Sequence, residues 1–193
     1  MNLLKMSFTC VVLTSLICLS VVVSSPTKNF KRSSEPLNVQ EYLDEHNEDR
    51  GAPGACDMNT LTWDDGLAES AQACADQCAF AHCRTGENIY LTSRDSPAPT
   101  AEEVVATWYS EEINYNYQLN DCADGKICGH YKQVVWAETS KVGCAHKFCD
   151  SIEVVPGNVW EGAWLAVCQY DPAGNVGAKK PYTAEGCAQN AAK

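Results

Sequence analysis

Cysteine and histidine are the side chains in this sequence that are best suited to chemistry. The chain of 193 residues contains 12 cysteines and 4 histidines. Cys10 and Cys18 lie in an N-terminal apolar stretch, and ten cysteines follow it. An even number of cysteines in a secreted chain indicates disulfides, whereas a zinc finger needs paired C-x-x-C spacings, which the sequence lacks. We therefore expect up to five disulfide bonds among these ten cysteines.

Two well-known catalytic patterns are absent from the sequence. It contains no His-Glu-x-x-His pair, which would place two zinc ligands on one face of a helix. It also contains no Gly-x-Ser-x-Gly turn, which would present a nucleophilic serine. Because hydrolysis needs a nucleophile or an activated water with an open approach, the sequence favours a protein that is not an enzyme.

The elements that must position the reactive side chains can be read from local patterns. Capping boxes at residues 38–41 and 100–103 predict helices over about 39–50 and 101–112. A carboxylate at position 64 or 65 fits the start of another helix, whose apolar residues recur at spacings of four, three and four.

The second half of the chain has the pattern of strands. Residues 142–148, 152–155 and 164–170 are predicted strands, and glycine-rich turns separate them. Residues 131–138 fit a helix or a strand equally well. Helices followed by antiparallel strands predict an α+β fold in which helices pack on a sheet.

The N-terminus has the features of an export signal. Lys5 precedes an apolar stretch over residues 8–23, and small residues follow it. The stretch is shorter than the roughly 20 apolar residues of a transmembrane helix, so we interpret residues 1–24 as a signal peptide and not as a membrane anchor. Residues 25–32 end in Lys-Arg and are either a propeptide or a flexible leader. We expect a secreted protein in which residues 33–193 form one domain.

The charge of the predicted mature chain excludes some classes of partner. The formal net charge is −11, from 14 basic and 25 acidic residues. Four basic and no acidic residues lie within positions 1–32, so residues 33–193 carry a net charge of −15. This chain lacks the basic surface of a nucleic-acid-binding protein, and attraction to an anionic membrane is equally disfavoured.

Four segments are distinctive: HNEDR at 46–50, GENIY at 86–90, GHYKQVVW at 129–136 and VCQYDPAGN at 167–175. They resemble the motifs of the CAP superfamily, which comprises cysteine-rich secretory proteins, antigen-five allergens and plant pathogenesis-related proteins. They occur in the order typical of that family. The resemblance implies an SCP-like domain built as a three-layer α-β-α sandwich with a short antiparallel sheet, and it places residues 131–138 in a helix.

The resemblance also implies part of the disulfide pattern. By analogy with the plant members, the expected pairs are Cys78–Cys144, Cys122–Cys128 and Cys149–Cys168. The remaining cysteines, which allow three connectivities, are Cys56, Cys74, Cys83 and Cys187.

A cleft with two histidines and two glutamates is a further implication of the resemblance. Its members here are His82, Glu87, Glu111 and His130. Two imidazoles with a carboxylate or a water suit Zn²⁺ or a similar ion, with His82 and His130 as the ligands. The same four side chains could instead satisfy one another's hydrogen bonds in a crowded core. In a hydrolase, Glu87 would be the general base.

The function that the resemblance implies is that of a non-catalytic extracellular binding or effector module, of the defence, venom or immunomodulatory type. Its partner would be an extracellular protein or a small lipid, and the protein would be a monomer. A zinc-dependent hydrolase and a sterol or lipid carrier are the alternatives. Lipid binding in the family uses an aromatic-rich loop after the third helix, and the corresponding loop here offers Tyr115 and Tyr117.

We predict that the secreted protein begins near Ser33 and has no free thiol, because the export signal ends before a Lys-Arg pair and the remaining cysteines are even in number. Intact mass before and after alkylation measures both properties. A chain that begins at Ser25 would contradict the processing at Lys-Arg, and two or more alkylated cysteines would contradict the full pairing.

Overall fold

The computed structural model describes residues 36–184, so the predicted signal peptide, the leader and Cys187 lie outside the described residues. The elements are α1 (Val39–Gly51), β1 (Thr62–Trp63), α2 (Asp65–Ala75), β2 (Glu87–Ser93), α3 (Ala101–Tyr109), a 3₁₀ helix (Ser110–Asn114), β3 (Tyr115–Asn116), β4 (Asp121–Cys122), α4 (Gly129–Val134), β5 (Lys141–Cys149), β6 (Ile152–Val155), β7 (Asn158–Trp160) and β8 (Ala163–Asp171).

The first three helices begin where the capping patterns predict. The side chains of Asn38, Asp64 and Thr100 each accept a hydrogen bond from the backbone N–H three residues later, at 3.3, 3.0 and 3.1 Å. These bonds satisfy N–H groups that have no partner within the helix. The third helix ends at Tyr109 and continues as the 3₁₀ helix, which carries Glu111.

The main sheet has four strands in the order β1-β5-β8-β2. β8 lies between β5 and β2 and is antiparallel to both, whereas the two-residue β1 is parallel to β5. The sheet is therefore antiparallel except at this edge. The strand β2 was absent from the sequence prediction.

Helices cover both faces of the sheet, which confirms the three-layer sandwich. Along β8, residues 166, 168 and 170 contact the core that contains residues of α1, α3 and α4, whereas residues 163, 165 and 167 contact the core beneath α2. This alternation follows from the two-residue period of a strand. Because eight of the nine residues of β8 are buried, this strand is the centre of the fold.

Gly143 allows α2 to lie directly on β5. A Cβ atom at this position would lie 2.2 Å from the backbone nitrogen of Ala68 and 2.6 Å from the carbonyl oxygen of Asp64. Both atoms belong to the backbone at the start of α2 and cannot rotate away. Any larger residue at position 143 would therefore push the helix off the sheet.

The disulfides differ from two of the three expected pairs. Cys122 bonds to Cys128, as the resemblance implied, but Cys78 bonds to Cys149 and not to Cys144. The expected partner of Cys149, Cys168, bonds to Cys144 instead.

The register of the sheet explains this correction. Cys144 and Cys168 face each other directly across β5 and β8, with a Cα–Cα distance of 4.1 Å. The structure also pairs Cys74 with Cys83 and shows Cys56 in a disulfide.

The HNEDR segment of α1 is structural. Arg50 is 2% exposed, and its guanidinium donates to the carbonyl oxygens of Val134 and Trp136 at 2.7 and 2.8 Å and to that of Asn59 at 2.6 Å. Burial lowers the pKa of Arg50 to about 10, so the group remains charged at neutral pH. Carbonyl dipoles at the end of α4 thus stabilise a buried cation that anchors α1.

His46 is fully buried and bonded through both ring nitrogens. Its Nδ1 donates to the carbonyl oxygen of Tyr42 at 2.6 Å, and its Nε2 accepts from the hydroxyl of Tyr170 at 2.8 Å. Burial lowers the pKa of His46 to about 4, and the nearby charge of Arg50 acts in the same direction. The His46 ring is therefore neutral in the core at neutral pH.

We predict that the His46 ring stays neutral in the folded protein down to about pH 5. The unfolded chain takes up a proton near the ordinary imidazole pKa of about 6.5, so this residue makes the free energy of unfolding fall as pH decreases from about 6.5 to 4. NMR titration of the ring signals tests this, with the guanidinium-unfolded protein as control. A midpoint above pH 6 in the folded protein would contradict the buried environment.

Candidate functional site

Four elements bring together the two histidines and two glutamates named above. His82 lies in the loop between α2 and β2, and Glu87 is the first residue of β2. Glu111 lies on the 3₁₀ helix and His130 is the second residue of α4. The two imidazole ring centroids are 6.5 Å apart, so the structure places both histidines at one cleft.

Glu87 is held by three hydrogen-bond donors beneath this cleft. Its Oε1 accepts from Nδ1 of His82 at 3.3 Å and from the backbone N–H of Cys83 at 2.9 Å. Its Oε2 accepts from Nε2 of Gln169 at 2.8 Å. The Glu87 side chain is 0% exposed, whereas that of His82 is 52% exposed. The carboxylate is therefore covered, and the imidazole is the part that solvent and ligands can reach.

The electrostatics of Glu87 favour the ionised form. Burial raises the pKa of this carboxyl, but the three hydrogen bonds just described lower it by more, and the pKa of Glu87 lies below its usual value. A general base works best with a pKa near the working pH. An ionised carboxylate with both oxygens occupied is suited to orienting an imidazole and poorly suited to accepting a proton from water.

Glu111 plays the equivalent part for His130. Its Oε1 accepts from Nδ1 of His130 at 2.6 Å. Its Oε2 accepts from the backbone N–H groups of His130 and Tyr131 at 2.9 and 3.3 Å. Because the residue before α4 provides no side-chain cap, Glu111 satisfies the first N–H groups of this helix from another element.

The hydrogen bonds of the two glutamates define the tautomer of both rings. A carboxylate can only accept, so Nδ1 carries the proton in His82 and in His130. In a neutral imidazole, Nε2 then has a free lone pair. No residue within 36–184 forms a hydrogen bond to either Nε2, so both lone pairs are available to a ligand.

Two adjoining cavities form the cleft around these rings. The larger, of about 770 Å³, is lined by the segment from His82 to Glu87 and by Asn175 and Val176. The smaller, of about 320 Å³, is lined by His82, Glu87, His130 and Asn175 among others. His82, Glu87 and Asn175 line both cavities, so the two adjoin, and both histidines line the smaller one.

Two of the residues that support the site, Gln169 and Asn88, were missed by the sequence reasoning. Gln169 faces Glu87 directly across β8 and β2. Asn88 donates to the carbonyl oxygen of His130 at 3.1 Å, and the Trp108 ring stacks on the His130 ring at a centroid distance of 6.4 Å. Asn88 and Gln169 lie within the family motifs, and this position was the feature of the sequence that could have identified them as part of the site.

The two tyrosines of the predicted lipid loop lie apart from this cleft. Tyr115 and Tyr117 are half-buried, and Tyr115 donates from its hydroxyl to the side chain of Asn120 at 2.9 Å. Tyr117 stacks on Tyr182 at 5.2 Å and donates to its carbonyl oxygen at 3.1 Å. Both rings thus pack against the protein itself.

The fold and the site define a small domain in which disulfides and helices frame a cleft with two histidines and two carboxylates. Residues 43–170 match the model of the CAP family, described as the cysteine-rich secretory protein family. The chain belongs to this family. No helix among residues 36–184 is long and apolar enough to cross a membrane.

Curated relatives come from plants and from mammals. The chain is 34% identical over 188 residues to a pathogenesis-related protein of PR-1 type from Sambucus nigra, covering 94% of this chain and 96% of that protein. It is 40% identical over 166 residues to GLIPR1-like protein 1 of Mus musculus, covering 78% of this chain and 66% of that protein. It is 38% identical over 151 residues to peptidase inhibitor 16 of Mus musculus, and this match spans 74% of the chain but 29% of that longer protein.

Solved structures show the same fold. Hookworm platelet inhibitor superposes with a TM-score of 0.63 at 24% identity, covering 79% of this chain and 80% of that chain, and this likeness concerns the fold alone. The structure of NaASP2 with Zn²⁺ superposes with a TM-score of 0.58 at 26% identity, covering 78% of this chain and 89% of that chain.

Proposed function

We propose that this chain is a secreted CAP-domain protein that acts as a non-catalytic binding module and holds a divalent transition-metal ion between His82 and His130. The observation that carries the proposal is the hydrogen-bonded state of the two rings, since each Nδ1–H is bonded to a glutamate and each Nε2 is left for the cleft. Secretion is supported by the disulfides in the structure and by the export signal in the sequence.

The donor set fits such an ion chemically. Neutral imidazole is a common ligand of Zn²⁺, with a Zn–N distance of about 2.0–2.1 Å. A ligating histidine usually donates its other N–H to a carboxylate, which fixes the tautomer and makes the ring a better donor. Glu87 and Glu111 supply this second contact. The 6.5 Å between ring centroids leaves space for one ion, and the exposed loop position of His82 permits the small movement that binding needs.

A related structure gives independent support. NaASP2, 26% identical to this chain, was solved with Zn²⁺. The metal would organise the cleft for a partner, which we propose to be an extracellular protein. A lipid ligand has less support, because both tyrosines of the aromatic loop are engaged with other side chains or with backbone groups.

Removing either histidine should abolish zinc uptake at pH 7.5, because each ring supplies one of the two nitrogen ligands. Titration calorimetry of His82→Ala and His130→Ala tests this, with Lys126→Ala as the matched control in the cavity wall. Glu87→Gln and Glu111→Gln should weaken binding by about 10- to 100-fold, as loss of an outer hydrogen bond does. Lowering the pH to about 5 should release the ion, since a protonated imidazole cannot bind it.

The absence of zinc binding by the wild-type protein would contradict the metal site. The four side chains would then serve only to satisfy one another's hydrogen bonds.

Catalysis is expected to be absent even with zinc bound. Glu87 is the residue that a hydrolase would use as its base, and its carboxylate is covered and fully hydrogen-bonded. With saturating zinc, the wild-type protein should cleave casein no faster than the His82→Ala/His130→Ala variant, which controls for contaminating protease. A tenfold excess, equal to about 1.4 kcal/mol of transition-state stabilisation, that disappears in Glu87→Gln would overturn the non-catalytic assignment.

A further inference from the structure

A disulfide lies against the buried end of the cleft. The sulfur atoms of Cys74 and Cys83 and a carboxylate oxygen of Glu87 all lie within 4.8 Å of one another. Among residues 36–184, no other three side chains of the types His, Cys, Asp and Glu place their ligand atoms this close together. Because Cys74 and Cys83 are bonded to each other, their sulfurs offer no thiolate in the oxidised protein.

Among the four disulfides whose two cysteines are both described, this is the one with an exposed cysteine. Cys83 is exposed, whereas Cys74 is 3% exposed at the end of α2. In each of the other three disulfides whose two cysteines are both described, both cysteines are buried or half-buried. A thiolate must approach a sulfur atom to open a disulfide, so exposure favours attack at Cys83.

We propose that reduction of the Cys74–Cys83 disulfide creates a second metal site, in which both thiolates and the Glu87 carboxylate bind a soft divalent ion such as Zn²⁺ or Cd²⁺. The reductant is a thiol. One thiolate attacks Cys83, the Cys74 thiolate leaves, and a second thiol resolves the mixed disulfide, so that two thiols become one disulfide. Both cysteine thiols lose their protons when the ion binds.

The chain provides a fourth ligand beside this group. His82 precedes Cys83, and its Nδ1 lies 3.3 Å from the Glu87 carboxylate. This nitrogen joins the set when the ring proton moves from Nδ1 to Nε2. Two sulfurs, one nitrogen and one oxygen form a tetrahedral set of the kind that Zn²⁺ accepts, with Zn–S distances of about 2.3 Å. Two thiolates and a carboxylate also carry negative charge that a divalent cation neutralises.

The ligands remain together after the bond is opened. The Cys78–Cys149 disulfide, four residues beyond Cys74, still ties the segment after α2 to β5. Glu87 stays fixed in β2 by its hydrogen bond to Gln169. Reduction therefore frees the two sulfurs to separate without releasing the elements that carry them.

This site shares His82 and Glu87 with the metal site proposed above, but the two proposals can be tested separately. It does not use His130, so the His130→Ala variant should lose zinc binding in the oxidised state and keep metal binding in the reduced state. Failure of either proposal therefore leaves the other open to its own test.

Limited reduction with a small thiol, removal of that thiol and titration with Cd²⁺ test the proposal. Differential alkylation with mass spectrometry should show Cys74 and Cys83 reduced before the cysteines of the Cys78–Cys149, Cys122–Cys128 and Cys144–Cys168 disulfides. The reduced wild-type protein should bind one Cd²⁺ with a thiolate-to-metal charge-transfer band, and the oxidised protein should show no such band. Glu87→Gln should weaken this binding by more than the roughly tenfold that loss of an outer hydrogen bond costs, because here the substitution removes a ligand.

Two controls keep the outcome decisive. The Cys74→Ser/Cys83→Ser variant should show no band. If circular dichroism shows that it is unfolded, alkylation of the two reduced cysteines in the wild-type protein should abolish the band instead. A reduced wild-type protein without the band, a band that survives either control, or prior reduction of one of these three other disulfides would overturn the proposal.

Discussion

The geometry of the cleft depends on one constraint: two covered carboxylates, those of Glu87 and Glu111, need hydrogen-bond donors. Ionised carboxylates lose most of their water when they are buried, and they stay charged only if protein donors replace it. Glu87 obtains three donors from the loop before β2 and from β8. Glu111 obtains three from the start of α4. One donor of each set is an imidazole N–H, so satisfying the two acids also orients the two histidines.

The helix α4 shows how far this dependence extends. With six residues, it is too short to be stable by itself. Glu111 bonds to its first N–H groups, and Arg50 of α1 bonds to carbonyl oxygens at and after its last turn. Both ends are thus held by side chains of other elements. The position of His130 is therefore set by the packing of the layers and not by the local sequence.

Local sequence was sufficient for some of the fold. The starts of α1, α2 and α3 were predictable because a capping side chain and its target N–H lie three residues apart. The strand β2 was not, since its first residues, Glu87 and Asn88, are polar yet buried and break the alternation of a half-exposed strand. Their partners, Gln169 and His130, lie far along the chain.

The disulfide pattern was also only partly predictable from the sequence. The sequence predicted that the cysteines form disulfides, but the pairing depends on which residues face each other across β5 and β8, as Cys144 and Cys168 do. The four cleft residues became predictable only through resemblance to the family, because they come from separate segments with no spacing of their own. The arrangement of each glutamate on the Nδ1 side of its histidine needed the three-dimensional structure.

The central claim is that His82 and His130 both carry their proton on Nδ1 and present Nε2 to the cleft. Nitrogen-15 NMR of the histidine rings at neutral pH measures this directly, because protonated and unprotonated ring nitrogens have well-separated chemical shifts. The account predicts the Nδ1–H tautomer for both rings in the metal-free protein, with zinc then shifting the Nε2 signals. A ring with its proton on Nε2, or zinc shifts confined to Nδ1, would contradict the arrangement described for the cleft.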